Sequence, residues 1–139
     1  MGTKEIKNIV LLKAPKVLHN TPVLFAYLYG SYAQDLVHPF SDLDIGIFIE
    51  SASVGNPLDL ELSLSLAFDN QIPQRVESEV RIINNLPLMV KGAIITTGSL
   101  IYCVDDSLRI DFETRLRSEY FDYLPVHHHY QSLYRQSMQ

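Results

Sequence analysis

The sequence lacks several features that mark particular classes of protein. Its single cysteine, Cys103, excludes an internal disulfide and a zinc site built from several cysteines, and it fits a reducing cytoplasm. No apolar run approaches the roughly 18 residues of a transmembrane helix. The first residues, MGTKEIKNIV, do not have the layout of a signal peptide. We therefore expect a cytoplasmic protein that has no membrane partner.

Basic residues are also scarce. Eleven Lys and Arg residues stand against sixteen Asp and Glu residues, which gives a net charge of -5. Proteins that coat DNA or RNA need many Lys and Arg side chains to neutralise phosphates, so we do not expect a direct nucleic-acid substrate. The acidic balance still allows a phosphate ligand, provided that a metal ion rather than Lys or Arg meets the phosphate.

The length and composition are those of one globular domain. The chain has 139 residues, of which 47% are hydrophobic and 19% are charged, enough to build a core without cross-links. We find no internal repeat and no low-complexity segment. We predict a single domain over residues 1–139, with a core over about residues 1–104 and a C-terminal helical extension over about residues 105–139.

Hydrophobic periodicity predicts helices that alternate with strands. The predicted helices cover residues 4–19, 31–36, 58–68, 86–97 and 105–124, and the predicted strands cover residues 23–29, 42–49, 76–83 and 100–104. We expect Pro15 to bend or end the first helix and Pro125 to end the last one. The pattern favours an α+β fold of the α/β type, in which helices flank a small mixed sheet.

The turn after the first predicted strand has the chemistry of a phosphate site. Gly30 and Ser31 follow an uncharged run, VLFAYLY, where a strand is expected to give way to a helix. Such a turn presents free backbone N–H groups and the positive end of a helix dipole, which suit phosphate. Gly30 lets the backbone approach closely, and Ser31 adds a hydroxyl donor. Taken alone, a Gly-Ser pair at a strand end is usually only a turn.

Two acids open the second predicted strand. Asp42 and Asp44 are separated by one residue, so on a strand their carboxylates point to the same face. Like charges this close repel, and a divalent cation relieves the repulsion. Hard oxygen ligands suit Mg²⁺. An Asp-x-Asp pair is often just a solvated face, but this strand is otherwise apolar, which favours a functional pair.

A third acid would complete a site for two metal ions, and the third predicted strand offers two candidates. Glu77 and Glu79 lie on one face by alternation, together with Arg81. The other explanation is that these charges protect an edge strand from pairing with other chains.

The combination of these motifs resembles the signature of a known superfamily. Gly30 and Ser31, then ten residues, then Asp42 and Asp44 after Ser41 resemble the nucleotidyltransferases related to DNA polymerase β. The compactness of the chain resembles their minimal nucleotidyltransferase (MNT) group, antitoxins that are paired with HEPN-domain ribonuclease toxins. The similarity covers about residues 23–102. The stretch EVRIINNLP matches the third strand of that group and selects Glu79, where the family usually has Asp.

The resemblance implies a metal-binding and catalytic set made of Asp42, Asp44 and Glu79. The two aspartates would hold Mg²⁺, two ions in all, which bridge the triphosphate of ATP. Glu79 would help to bind the second ion and would take the proton of the acceptor hydroxyl.

The resemblance also implies a nucleotide-binding set and a reaction. Gly30 and Ser31 would hold the β- and γ-phosphates, with help from Ser41. The enzyme would be a Mg²⁺-dependent nucleotidyltransferase that moves AMP from ATP to a tyrosine of a HEPN toxin, within a hetero-oligomer of the two chains. So short a chain leaves little room for a second substrate domain, which also favours an acceptor on a partner.

Two alternatives remain open from the sequence. The chain could be a non-catalytic antitoxin that neutralises its toxin by direct binding. It could also transfer a nucleotide to a small hydroxyl acceptor, as aminoglycoside-type nucleotidyltransferases do, although the missing second domain weighs against this.

Overall fold

A computed structural model describes residues 2–34, 42–50, 55–73 and 76–137. Four helices and four strands lie within these residues. In chain order they are α1 (Thr3–Leu18), β1 (Val23–Tyr29), β2 (Leu43–Ile49), α2 (Pro57–Gln71), β3 (Ser78–Ile82), α3 (Leu88–Thr97), β4 (Ser99–Cys103) and α4 (Asp106–Ser137). The predicted α+β class is confirmed.

The four strands form one mixed sheet. Their order across the sheet is β3-β2-β1-β4. β1 pairs antiparallel with both β2 and β4, whereas β2 and β3 are parallel. β1 and β2 are the central strands, which explains why both read as nearly continuous apolar runs. β3 is an edge strand.

Helices cover both faces of the sheet. On one face, α1 and α2 pack with apolar residues of the strands, and the buried members include Ile6, Val10, Leu18, Ile45, Ile47, Leu64 and Phe68. On the other face, α3 and α4 cover a smaller cluster of Phe25, Tyr27, Ile83, Ile94, Ile95 and Leu116. Nowhere in the described ranges does a helix combine the length and the apolarity that a membrane span requires.

Capping residues stabilise the starts of two helices, as predicted. α2 begins at Pro57, and the Asn56 side chain accepts hydrogen bonds from the backbone N–H groups of the first turn, as an N-cap residue does. Asp105 caps α4 in the same way. Most other ends of helices and strands differ from the predictions by one to three residues, within the range in which helix and strand ends fray.

Neither proline ends its helix, although an end was predicted only at Pro125, and Pro15 was expected to bend or end a helix predicted over residues 4–19. α1 continues past Pro15 to Leu18, and α4 continues past Pro125 to Ser137, so the predicted stop at residue 124 is wrong. A helical proline deprives the carbonyl four residues earlier of its donor. Those carbonyls belong to Leu11 and Phe121, and both residues lie on the exposed side of their helices.

The predicted short helix after Gly30 is present only as a turn. Residues 31–34 are turn residues, and the Gln34 N–H donates to the Gly30 carbonyl at 3.2 Å. Residues 35 and 36, which the prediction included, lie outside the described residues.

Side chains of α2 close the free edge of β3. The N–H groups of Ser78, Val80 and Ile82 donate to Asp69 Oδ1 at 2.7 Å, Ser65 Oγ at 3.0 Å and Glu61 Oε2 at 2.8 Å, respectively. The spacing of the acceptors on α2 matches the spacing of the donors on β3, because four residues of helix rise about 6 Å and two residues of strand rise about 6.6 Å. The sheet therefore offers no row of unpaired N–H groups at this edge.

Candidate active site

The turn that follows β1 lies directly against β2. Gly30 has a φ of +73°, a left-handed conformation that glycine adopts without a steric penalty. A Cβ atom at this position would collide with Asp44 Oδ2. Only glycine therefore allows the turn to approach the carboxylate this closely, and the structure brings together Gly30 and Asp44, two of the residues that the sequence singled out.

The carboxylates meet at one end of the central strands. Asp44 pairs with Tyr29 across β1 and with Glu79 across β3, and laterally paired residues share a face of the sheet. Asp42 precedes β2 by one residue and is exposed. It is thus just outside the strand on which it was expected. Glu77 likewise lies one residue before β3 and is exposed, so Glu79 is the acid of the third strand that faces Asp44.

The environment of Asp44 disfavours its charged form. Burial raises the pKa of the Asp44 carboxyl to about 6, and the negative charges of Glu79 and Asp42 add to the rise, whereas Arg81 lowers it. Three acids therefore interact electrostatically at this end of the sheet. Such an excess of negative charge is what a bound cation offsets.

Arg81 is a participant that sequence reasoning did not place in the site. Its Nε and Nη2 atoms lie 2.9 Å and 2.8 Å from Glu79 Oε1. The two residues are separated by one position in β3, and their side chains are 53% and 43% exposed. The Glu79 carboxylate and the nearby Asp44 raise the pKa of the Arg81 guanidinium. The one-residue spacing was visible in the sequence, but a contact between their side chains was not.

Tyr29 is a second residue that the sequence reasoning left out. Burial raises the pKa of its hydroxyl to about 12, with a further rise from Asp44, while Arg81 lowers it. Tyr29 thus stays protonated at neutral pH and stands beside the carboxylates as a neutral hydroxyl. Its position immediately before Gly30 was the only sequence signal.

The two predicted serines have different outcomes. Ser31 is half-buried in the turn directly after Gly30. Ser41 lies outside the described residues, so its predicted role stays a prediction.

The side chains of the candidate site have the ligand chemistry that a hard divalent cation prefers. As their side chains stand, the described residues contain no group of three or more His, Cys, Asp or Glu ligands that could hold a metal ion. Asp42, Asp44 and Glu79 nevertheless offer the carboxylate oxygens that Mg²⁺ prefers, and Asp44 interacts with both other acids. Glu79 Oε1 is the oxygen that is bound to Arg81, and a carboxylate has a second oxygen that can act as a ligand.

The described residues thus combine a four-stranded mixed sheet with a glycine turn packed against a strand acid. Residues 13–107 match the family model for Polymerase beta, Nucleotidyltransferase. This match covers more than half of the chain, and the chain belongs to that family. The predicted superfamily is confirmed.

Solved structures share this fold. A chain of the crystal structure of a toxin–antitoxin with AMP-PNP is 20% identical, with a TM-score of 0.65 over 93% of this chain and 98% of that chain. A chain of the complex of tri-AMPylated Shewanella oneidensis HEPN toxin with MNT antitoxin is 17% identical, with a TM-score of 0.62 over 96% and 99%. A chain of the toxin–antitoxin MntA-HepT is 13% identical, with a TM-score of 0.62 over 95% and 99%. No curated protein sequence matches.

Proposed function

We propose that this protein is an MNT antitoxin that transfers AMP from ATP to a tyrosine hydroxyl of a HEPN toxin. The observation that carries the proposal is the contact between the Gly30 turn and Asp44, which lies in register with Glu79. A phosphate-binding turn and acidic side chains at one sheet end are what phosphoryl transfer needs. The toxin–antitoxin neighbours with AMP-PNP and with an AMPylated HEPN toxin support the choice of ATP and of acceptor.

In the proposed reaction, the site residues form a metal-binding set and a phosphate-binding set. Asp42, Asp44 and Glu79 would hold Mg²⁺, two ions when the site is complete, and bound Mg²⁺ would offset the negative charge of the triphosphate. Gly30 and Ser31 would position the β- and γ-phosphates, and Ser41 would assist.

The transfer step involves one bond formed and one broken. The acceptor oxygen bonds to the α-phosphorus of ATP, and the bond from that phosphorus to the pyrophosphate oxygen breaks. The Glu79 carboxylate takes the proton of the acceptor hydroxyl, and pyrophosphate leaves.

We propose the cytoplasm, where ATP is present, as the location, and a hetero-oligomer with the toxin as the assembly.

The test is an intact-mass measurement of the purified HEPN partner after incubation with this protein, ATP and Mg²⁺. We expect the toxin to gain the mass of one or more AMP units. The gain should disappear with EDTA and with the double substitution Asp42→Asn and Asp44→Asn. A toxin of unchanged mass in the complete mixture would contradict the proposal.

Glu79 and Glu77 provide a matched pair of variants for the proposed proton acceptor. Glu79→Gln should lower the transfer rate by about 100-fold or more, because a general base typically contributes 10²- to 10⁴-fold. Glu77→Gln, which changes an exposed acid two residues away, should leave the rate within twofold of the wild type. Equal rates for the two variants would remove Glu79 from the mechanism.

One observation favours a second candidate function. Arg81 binds Glu79 Oε1 through two nitrogen atoms, which competes with metal binding by this oxygen. A non-catalytic antitoxin that neutralises its toxin by contact alone fits this arrangement. Toxin inhibition that persists without ATP, and with Asp42 and Asp44 both replaced by Asn, would support this function over AMP transfer.

A further inference from the structure

A groove between α2 and β3 opens beside the candidate active site. Its volume is about 460 Å³. Glu79 and Arg81 of the site line it on one side, and Leu58, Leu62 and Leu86 supply apolar lining. The groove is therefore continuous with the residue that we propose takes the acceptor proton.

One face of α2 extends this groove with a row of exposed leucines. Leu58, Leu62 and Leu66 follow one another at four-residue spacing and are 61%, 56% and 64% exposed. The core face of the same helix carries Leu64 and Phe68, which are buried. Because α2 already has a buried face, the exposed row is not needed to hold the helix on the sheet. Contiguous exposed apolar side chains mark interaction surfaces more often than isolated ones do.

A partner cannot bind in the groove by adding a strand to the edge of β3. The N–H groups along the β3 edge already donate to Glu61, Ser65 and Asp69 of α2. Strand addition needs an edge with unpaired backbone groups. An occupant must therefore dock through its side chains, against the leucines and the charged residues of the groove.

Arg81 is the charged residue of the groove that has hydrogen-bond donors left for an occupant. Arg81 directs two of its nitrogen atoms to Glu79, and a guanidinium has five N–H donors. The side chain is 53% exposed and is the cation of the groove lining, where Glu61 and Glu79 are the acids. Glu61 is engaged with the Ile82 backbone. A carboxylate from a partner would complement the remaining donors of Arg81.

From these observations we propose that the groove is the docking site for the acceptor segment of the partner toxin. The segment presents apolar side chains to Leu58, Leu62 and Leu66 and a carboxylate to Arg81, which brings its tyrosine hydroxyl to Glu79. The identity of this occupant rests on the proposed function, since the groove leads to Glu79 and a transferase with a protein acceptor must bind that acceptor beside its base.

The first experiment measures binding of the purified HEPN toxin to the full-length protein without nucleotide, by titration calorimetry. The double variant Leu62→Gln and Leu66→Gln keeps good helix formers on α2 and should raise the Kd at least tenfold, as loss of a central apolar contact does. Leu12→Gln is the matched control, because Leu12 is 74% exposed on α1, and its Kd should stay within twofold. A double variant that binds as tightly as the wild type would overturn the proposal.

A second experiment tests the contact between Arg81 and a carboxylate of the toxin. Arg81→Gln should weaken binding about tenfold and reduce the salt dependence of the Kd, because exposed charge pairs are screened by salt. Arg115→Gln removes an exposed cation of α4 that pairs with Asp111, and it should change neither quantity. An unchanged salt dependence in Arg81→Gln would rule out the carboxylate contact.

The binding measurements and the intact-mass measurement together distinguish the docking site from the transferase activity. Groove-dependent binding without AMP transfer would support the docking site and contradict the transferase. AMP transfer at wild-type rates and KM by the leucine variant would contradict the docking site and support the transferase. A wild-type protein that does not bind the toxin would overturn both.

Discussion

At the scale of single residues, Gly30 is the position in the candidate site that tolerates no side chain. Its left-handed backbone and the neighbouring Asp44 carboxylate together leave no room for a Cβ atom. The position of the turn and the position of the strand acid therefore depend on each other.

We therefore expect Gly30→Ala to affect both stability and transfer. A left-handed non-glycine residue costs about 1–2 kcal/mol, which should appear as a lower free energy of unfolding in urea titrations. The displaced Asp44 carboxylate should lower the rate of AMP transfer about tenfold or more, because positioning errors of about 1 Å are costly in catalysis. The assay is the transfer rate at saturating ATP.

Gly55→Ala is the control for this substitution. A Cβ atom at Gly55 would meet nothing within 4 Å, so this variant should match the wild type in both measurements. If Gly30→Ala behaved like Gly55→Ala, the contact between the turn and Asp44 would have no role in the site.

At the scale of secondary-structure elements, the packing of α3 on α4 depends on one small residue. Gly92 is buried in α3, and a Cβ atom there would collide with the ring of Tyr120 on α4. The missing side chain lets the two helices approach each other. Glycine is a poor helix former, so its presence in the middle of α3 is explained by this contact rather than by local propensity.

We expect Gly92→Ala to lower the free energy of unfolding by about 1–2 kcal/mol. An overpacked contact costs about 1–3 kcal/mol, and the better helix propensity of alanine returns up to about 1 kcal/mol. Urea unfolding measures the difference. In a Tyr120→Leu background, where the ring is absent, the same substitution should be neutral or stabilising. A destabilisation of equal size in both backgrounds would show that Tyr120 is not the cause.

At the same scale, the predictions of the α2 cap and of β1 succeeded, whereas the predicted end of the last helix at Pro125 failed. The cap at Asn56 and the apolar run of β1 depend on neighbouring residues, so local patterns predicted them. The end of α4 did not follow from Pro125, because the cost of a helical proline depends on whether water reaches the freed carbonyl. Phe121 lies on an exposed side of α4, and exposure is a property of the folded molecule that the sequence around Pro125 does not give.

At the scale of the whole molecule, one buried hydrogen bond ties the centre of the sheet to α4. The Tyr27 hydroxyl in β1 donates to Glu113 Oε1 at 2.6 Å, and Arg109 lies 3.2 Å from Glu113 Oε2. Tyr27 and Glu113 are 2% and 8% exposed. Burial and the bond to Glu113 raise the pKa of the Tyr27 hydroxyl, while Arg109 lowers it.

This raised pKa predicts a loss of stability at alkaline pH. The unfolded state releases the Tyr27 proton near pH 10, and the folded state keeps it to higher pH. The contribution to stability is therefore complete below about pH 10 and falls above it, by about 1.4 kcal/mol per pH unit. Tyr27→Phe should be less stable at pH 8 by about 1–2 kcal/mol, since a buried hydrogen bond is lost. Its stability should fall less steeply above pH 10.

Urea unfolding at pH 8, 9, 10 and 10.5 measures both effects. Tyr29 and Tyr32 also have a raised pKa, but they are present in both proteins and cancel in the difference. Parallel curves for wild type and Tyr27→Phe above pH 10 would contradict the prediction.

The sequence by itself determined the class of fold, and it singled out Gly30, Asp42 and Asp44 as candidates for the site. The alternation of apolar strands and helices depends on short-range periodicity, and the Gly30 turn and the Asp42–Asp44 pair are readable because their chemistry depends on adjacent residues. The spacing of these motifs was enough to predict the superfamily to which the chain belongs.

The tertiary structure alone decided which groups meet. Tyr27 and Glu113 are 86 positions apart in the chain, and the closure of the β3 edge by Glu61, Ser65 and Asp69 joins elements through contacts of 9 to 21 positions. The strand register placed Glu79 rather than Glu77 opposite Asp44. Side-chain direction and register are set by long-range packing, which no local pattern encodes, and they create the groove beside Glu79 and the exposed leucines that extend it.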